Sequence, residues 1–283
     1  MEAFIEILKS VIYGIIEGIT EWLPVSSTGH LILFEELFWK NTDESFMEMF
    51  RVVIQLGAIL AVICMYFRKL NPFSTKKDAI AKKSTWEMWF KVIIACLPAA
   101  AVGLPFNDML DAYFYNFPTV AATLVIYGIA FVVLESAKRP EPKIGDITEM
   151  SYTTALLIGV IQLLSLIPGT SRSGVTILGA MLLGCSRAVA AEFSFFLAIP
   201  VMFGASLLKC VSYAKDLATG EAATLDTLHC AVLFVGMLVA FVVSMLAIKF
   251  LTGYVKKRDF KPFGYYRIVL GIILIIYFFV FVR

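Results

Sequence analysis

The chain has 283 residues, 60% of them hydrophobic and only 16% charged, with a net charge of +2 and a mean hydropathy of +0.85. Soluble domains run nearer half apolar and about a quarter charged, so a water-soluble globular fold is set aside. The near-neutral balance also removes any bulk electrostatic case for a nucleic-acid partner.

In chain order, the N-terminal MEAFIEILKS carries Glu2 and Glu6, no basic start and no small-residue cleavage site, so it does not read as a secretory signal. Residues 1–44 read as a helix–loop–helix hairpin in which Pro24 breaks the chain. Apolar stretches follow at 46–67, 88–104, 118–136, 188–211, 229–251 and 265–282. A crossing needs about 20 apolar residues to span about 30 Å of hydrocarbon, and these stretches predict six spans. Residues 151–186 are too short for two comfortable crossings and are broken by Pro168-Gly169. They read as a second hairpin, with a helix beginning near Val175. The five cysteines, Cys64, Cys96, Cys185, Cys210 and Cys230, lie in or beside apolar stretches without ligand-like spacing, so they read as packing residues.

The hairpins resemble one another. Gly14-Ile15-Ile16-Glu17 aligns with Gly159-Val160-Ile161-Gln162, and Ser26-Ser27-Thr28-Gly29 with Ser171-Arg172-Ser173-Gly174. Each is followed by three apolar stretches, which predicts two repeats, 1–144 and 145–283. Loop charge orients them. Arg68, Lys69, Lys76, Lys77, Lys82, Lys83 and Lys91, then Lys138, Arg139 and Lys143, then Lys256, Lys257, Arg258, Lys261 and Arg267 mark three cytoplasmic loops. The acidic loops 105–117, with Asp108 and Asp111, and 212–228, with Asp216, Glu221 and Asp226, fall outside. Counting crossings makes the second hairpin re-entrant from the cytoplasmic face, and the repeat makes the first its counterpart, dipping from the outer face; residues 1–44 could instead form two thin spans. The repeats are therefore inverted. The predicted fold is an all-α polytopic membrane protein, an inverted-topology repeat with six transmembrane helices and two re-entrant hairpins. Such architectures place a site near the midplane where the halves meet.

The first hairpin carries Glu17 and Glu21 one turn apart, on one helix face. Two carboxylates at membrane depth are costly unless a cation neutralises them or one is protonated; at the interface they would simply be solvated. Ser26, Ser27, Thr28 and Gly29 suit a tight turn, whether as an ordinary helix cap or as part of a site. His30 follows directly and can act as base, acid or nucleophile toward phosphorus. His229, at the start of a span, reads as interfacial. In the second hairpin Gly169, Thr170, Ser171, Arg172, Ser173 and Gly174 open a helix. Free N–H groups there suit an anion, and Arg172 offers a planar fork matching phosphate oxygens. Arg172 could equally pair with Glu17 or Glu21 across the repeat interface.

The segments GIIEGITEWLPVSSTGH at 14–30 and PGTSRSG at 168–174 resemble the two signature regions of bacterial undecaprenyl-diphosphate phosphatases of the bacitracin-resistance type. The resemblance covers essentially the whole chain. It implies hydrolysis of undecaprenyl diphosphate to undecaprenyl phosphate, the lipid carrier of cell-wall synthesis, in the bacterial plasma membrane. It implies Glu17, Glu21, Ser27, His30 and Arg172 as the catalytic set. It also implies a divalent cation, Mg²⁺ or Ca²⁺, for which Glu17 and Glu21 are the expected ligands. Ser26, Thr28, Gly169, Thr170, Ser171, Ser173 and Gly174 are expected to hold phosphate. The expected partners are the lipid substrate, the membrane lipids and a second copy of the chain, with no nucleic acid. Whether Ser27 or His30 is the nucleophile stays open. The other functional class is a transporter or flippase of a polyprenyl phosphate lipid, since inverted repeats with broken helices also build transporters.

Overall fold

The computed structural model describes residues 1–39, 44–137, 140–219 and 225–282. Helix dominates. The hairpin helices α1 (Glu2–Thr20) and α2 (Ser27–Phe38) are followed by α3 (Glu44–Met65), the short α4 (Phe67–Leu70), α5 (Ala79–Phe114) and α6 (Phe117–Ser136). Then come α7 (Tyr152–Gln162), a 3₁₀ turn at Leu163–Leu166, α8 (Arg172–Leu182), α9 (Arg187–Thr219), α10 (Thr227–Tyr254) and α11 (Lys261–Tyr277). Six helices among the described residues are long and apolar enough to cross a membrane: Ser45–Met65, Ala79–Phe106, Phe117–Ser136, Arg187–Thr219, Thr227–Tyr254 and Lys261–Val280. The chain is a multi-pass membrane protein. Apolar side chains such as Leu97, Ile126, Phe203, Leu246 and Ile276 stay exposed along these helices, where lipid replaces water as their solvent.

The two halves pack in corresponding ways. Helix α1 lies on α10 and α7 on α5, while α3 meets α9 and α6 meets α11. Small residues allow the first two contacts. A Cβ on Gly14 would stand 2.6 Å from the Gly236 carbonyl of α10, and one on Gly159 would collide with the Ala95 carbonyl of α5. Gly14 and Gly159 are the positions the repeat aligns. The main apolar core lies beneath the hairpin turns, around Trp22, Phe131, Phe193, Phe195, Phe196 and Phe260.

Several expectations need correction. Helix α8 begins at Arg172 rather than near Val175, because the Ser171 side chain caps it. Much of the expected outer loop 105–117 is helical, since α5 continues through Pro98 and Pro105 to Phe114; neighbouring helices can re-satisfy the backbone groups such prolines free. Lys91 and Arg267, counted as loop charges, are helical and buried. Lys91 donates to the carbonyls of Ile147 and Thr148, and Arg267 belongs to the site below. Lys138, Arg139 and Glu221 lie outside the described residues. Asp226 and His229 form the N-terminus of α10, Asp226 Oδ1 accepting from the His229 N–H at 2.8 Å, so His229 takes no part in the site's hydrogen bonds.

Candidate active site

The site grows from two broken turns with the same backbone. Ser26 and Ser171 both adopt positive φ, 72° and 71°, and among the described residues they are the only non-glycine residues to do so. Each caps the following helix with its own hydroxyl. Ser26 Oγ accepts from the Gly29 N–H at 3.4 Å, and Ser171 Oγ from the Gly174 N–H at 3.1 Å. A left-handed serine costs about 1–3 kcal/mol, and such strain clusters at functional sites. Both conformations leave a helix N-terminus open at the turn, with N–H groups that no helix carbonyl uses.

Glu21 is where the turns converge. It follows the last residue of α1 and is 8% exposed. Its Oε2 accepts from the Ser27 hydroxyl at 2.8 Å, and its Oε1 from Arg172 Nη2 at 2.7 Å. The other guanidinium nitrogen, Nη1, donates to the Ser194 carbonyl of α9 at 2.7 Å. The guanidinium carbon lies 5.7 Å from the centre of the buried Trp22 ring. Ser173 completes the join, its hydroxyl donating to the Leu23 carbonyl at 3.3 Å. The Glu21 carboxylate thus bonds side chains of the first residue of α2 and the first residue of α8.

Glu17, one turn earlier, is fully buried, and neither of its carboxylate oxygens has a hydrogen-bond partner. Gln162, which the sequence alignment sets against Glu17, is also buried with both amide atoms unpartnered. An unpaired carboxylate out of water is expensive, so Glu17 suits a cation or a proton. Among the described residues there is no cluster of three or more His, Cys, Asp or Glu side chains able to hold a metal.

His30 sits in the first turn of α2, and its ring bonds neither Ser27 nor Glu21. Its Nδ1 is 2.7 Å from the Ser26 carbonyl and its Nε2 is 2.6 Å from the Tyr266 hydroxyl. A carbonyl can only accept, so a neutral ring carries its proton on Nδ1 and takes the tyrosine proton on Nε2. The two rings are nearly parallel, at 6°.

Most residues expected from the sequence are thus brought together. Glu21 bonds Ser27 and Arg172 directly, Ser173 ties the second turn to the Leu23 carbonyl, and Ser26 and Ser171 cap the two turns, while the side chains of Glu17 and His30 make no hydrogen bond to Glu21, Ser27 or Arg172. Gly169, at φ 82°, shapes the second turn, where the Pro168 carbonyl accepts from Thr123 Oγ1 at 2.9 Å. Thr170 and Gly174 are buried in that turn and at the start of α8, and Thr28 is half-buried at the start of α2. Tyr266, Arg267, Ser194 and Trp22 were missed. No motif surrounds them, and Arg267 follows a run of basic residues that reads as loop charge.

A family model described as bacitracin resistance protein BacA matches residues 10–273. The chain is 58% identical to a protein of Enterococcus faecalis named undecaprenyl-diphosphatase, over 97% of this chain and 98% of that one. It is 55% identical to a protein of the same name from Acetivibrio thermocellus, with the same coverage. It is 54% identical to undecaprenyl-diphosphatase 1 of Clostridium acetobutylicum, again over 97% and 98%.

Proposed function

The chain belongs to the bacitracin resistance protein BacA family, and from that premise we propose that it hydrolyses undecaprenyl diphosphate to undecaprenyl phosphate and inorganic phosphate. The observation that carries the chemistry is the Glu21 carboxylate, which accepts from Ser27 on one oxygen and from Arg172 on the other. That is a nucleophile beside a base, next to a phosphate-matching fork. The names of the relatives favour hydrolysis over transport, and a transporter would have no use for an activated hydroxyl.

The Ser27 oxygen attacks the terminal phosphorus while its proton passes to Glu21 Oε2. The bond to the bridging oxygen breaks, and Glu21 returns the proton to the departing undecaprenyl phosphate. Water then attacks the phosphoserine and loses its proton to Glu21, which restores it to Ser27 as inorganic phosphate leaves. Arg172 exchanges Glu21 for phosphate oxygens, while its hold on Ser194 keeps the fork aimed. The N–H groups that open α2 and α8, beside Ser26, Thr28, Ser171 and Ser173, receive the remaining oxygens, with Thr170 shaping the second turn. His30 has both nitrogens engaged, which favours Ser27 as the nucleophile.

Glu17 and Glu21 would hold the divalent cation. Glu17's unpartnered oxygens fit that role, and one or two carboxylates completed by substrate phosphate is the usual Mg²⁺ arrangement. When bound, Mg²⁺ or Ca²⁺ would neutralise charge between carboxylates and phosphate. In this reading the halves 1–144 and 145–283 are inverted repeats, and their hairpins re-enter a bacterial plasma membrane. The site opens to the outer side, where the lipid head group can enter while its tail stays in hydrocarbon.

The test is phosphate release by purified protein in detergent, with no gradient. Wild type should turn over, and Ser27→Ala should lose at least about a thousandfold in kcat, as removal of a nucleophile does elsewhere. His30→Ala should lose less. A silent wild type would sink hydrolysis, and an active Ser27→Ala would remove Ser27 as nucleophile.

A further inference from the structure

Arg267 is fully buried in α11, and its hydrogen bonds run to main-chain carbonyls of both turns. Nη1 donates to Pro24 at 3.3 Å, and Nη2 donates to Gly169 at 3.0 Å and Thr170 at 2.9 Å. A guanidinium taken wholly out of water normally needs a carboxylate. Here the compensation is three carbonyls and the face of Tyr127, 5.9 Å from the guanidinium carbon. The choice of carbonyls is informative. Pro24 stands two residues before the strained Ser26, and Thr170 stands directly before the strained Ser171. One rigid, planar group therefore grips both turns just ahead of the residues that set their geometry.

The grip stands on a firm base. Helix α11 presses on α6 so closely that a Cβ on Gly264 would lie 2.7 Å from the Gly128 carbonyl, and one on Gly128 would lie 2.8 Å from the Gly264 carbonyl. Arg267 is one turn from Gly264. Across that contact, Thr123 of α6 donates to the Pro168 carbonyl, so α6 and α11 each hold a carbonyl of the second turn. Residue 266, next to Arg267, is the tyrosine that bonds His30.

We infer that Arg267 is a positioning residue for the reaction: it locks the Pro24 turn against the Gly169–Thr170 turn and so sets Ser27 opposite Arg172 across Glu21. The inference rests on the phosphatase reading above. Arg267 does not reach the reacting atoms. Without it, Ser27 and Arg172 remain, as do the N–H groups that receive phosphate, but their mutual alignment is lost. Misplacement by about 1 Å at a reacting centre costs about a hundredfold in rate, whereas binding of the head group depends less on that alignment.

Purified wild type, Arg267→Lys and Arg267→Met are compared in detergent on the lipid diphosphate, with each rate normalised to the folded fraction from size exclusion and thermal unfolding of the same sample. Arg267→Met should lower kcat by about a hundredfold while KM moves by less than about threefold. Arg267→Lys should recover only part, since one ammonium does not hold both turns at once. A second readout does not depend on activity. Spin labels at Leu23 and Ile167, in a background without the five cysteines, should give a narrow distance distribution that broadens in either variant. A wild-type kcat in folded Arg267→Met, or an unchanged label distance, would overturn the inference. So would a kcat loss fully explained by unfolded protein, or failure of both variants to fold, since either makes the role structural only. If wild type released no phosphate, the reaction reading would fall while the label distances still decided whether Arg267 ties the turns.

Discussion

Replacing Arg172 by lysine keeps the charge and removes the fork. The guanidinium spends one nitrogen on the Ser194 carbonyl and the other on Glu21 Oε1, each at 2.7 Å. The pair is well shielded, with side-chain exposures of 11% and 9%, so solvent screening discounts it little. A lysine ammonium can satisfy one of these directions and not the other in the same geometry. The loss is one hydrogen bond to a charged group, worth about 1.5–3 kcal/mol. At about 1.36 kcal/mol per decade of rate, kcat/KM should fall about 10- to 160-fold. Arg172→Ala is the less informative change. It strands a mostly buried Glu21 carboxylate, at a cost of about 3–5 kcal/mol, and so mixes unfolding with lost chemistry. The assay is phosphate release against lipid concentration in detergent, with thermal unfolding of each variant alongside. Wild-type kcat/KM in a well-folded Arg172→Lys would refute the fork and leave a point charge as its whole contribution.

The carboxylates and the orientation yield two further predictions. Excess chelator should abolish turnover, and Glu17→Gln should raise the Mg²⁺ concentration needed for half-maximal rate. Because Gln leaves no buried carboxylate to neutralise, the thermal midpoint should hold or rise; full activity in chelator would leave Glu17 as a proton carrier only. To test the proposed outward opening of the site, a single cysteine at Thr28 in a background lacking the native five should react with a membrane-impermeant thiol reagent in intact cells. Labelling only after permeabilisation would put that turn on the cytoplasmic side.

The sequence by itself determined the spans and the chemical vocabulary. The hydrocarbon core demands about 20 apolar residues per crossing, so six such helices were legible as runs, and a charged pair such as Glu17 and Glu21 stood out against them. The two Ser-rich turns were legible because they repeat. Even the pairing of Arg172 with a carboxylate of the first hairpin was among the readings the residues allowed. Which partner each group takes was decided only by the tertiary structure. Glu21 rather than His30 receives the Ser27 hydroxyl, because the turn at Ser26 folds the His30 ring back onto the Ser26 carbonyl and against Tyr266. The positive φ of Ser26 and Ser171 left no mark that a cap-forming serine would not also leave. Lys91 and Arg267 were misread for the same reason. A basic residue near the end of an apolar run looks like a loop charge, and only packing shows that its donors are spent on distant main-chain carbonyls. Periodicity and composition report what a segment does with its solvent, and that information is local. The partners of these buried groups stand 56 to 243 residues away, and the fold alone brings them within hydrogen-bonding distance.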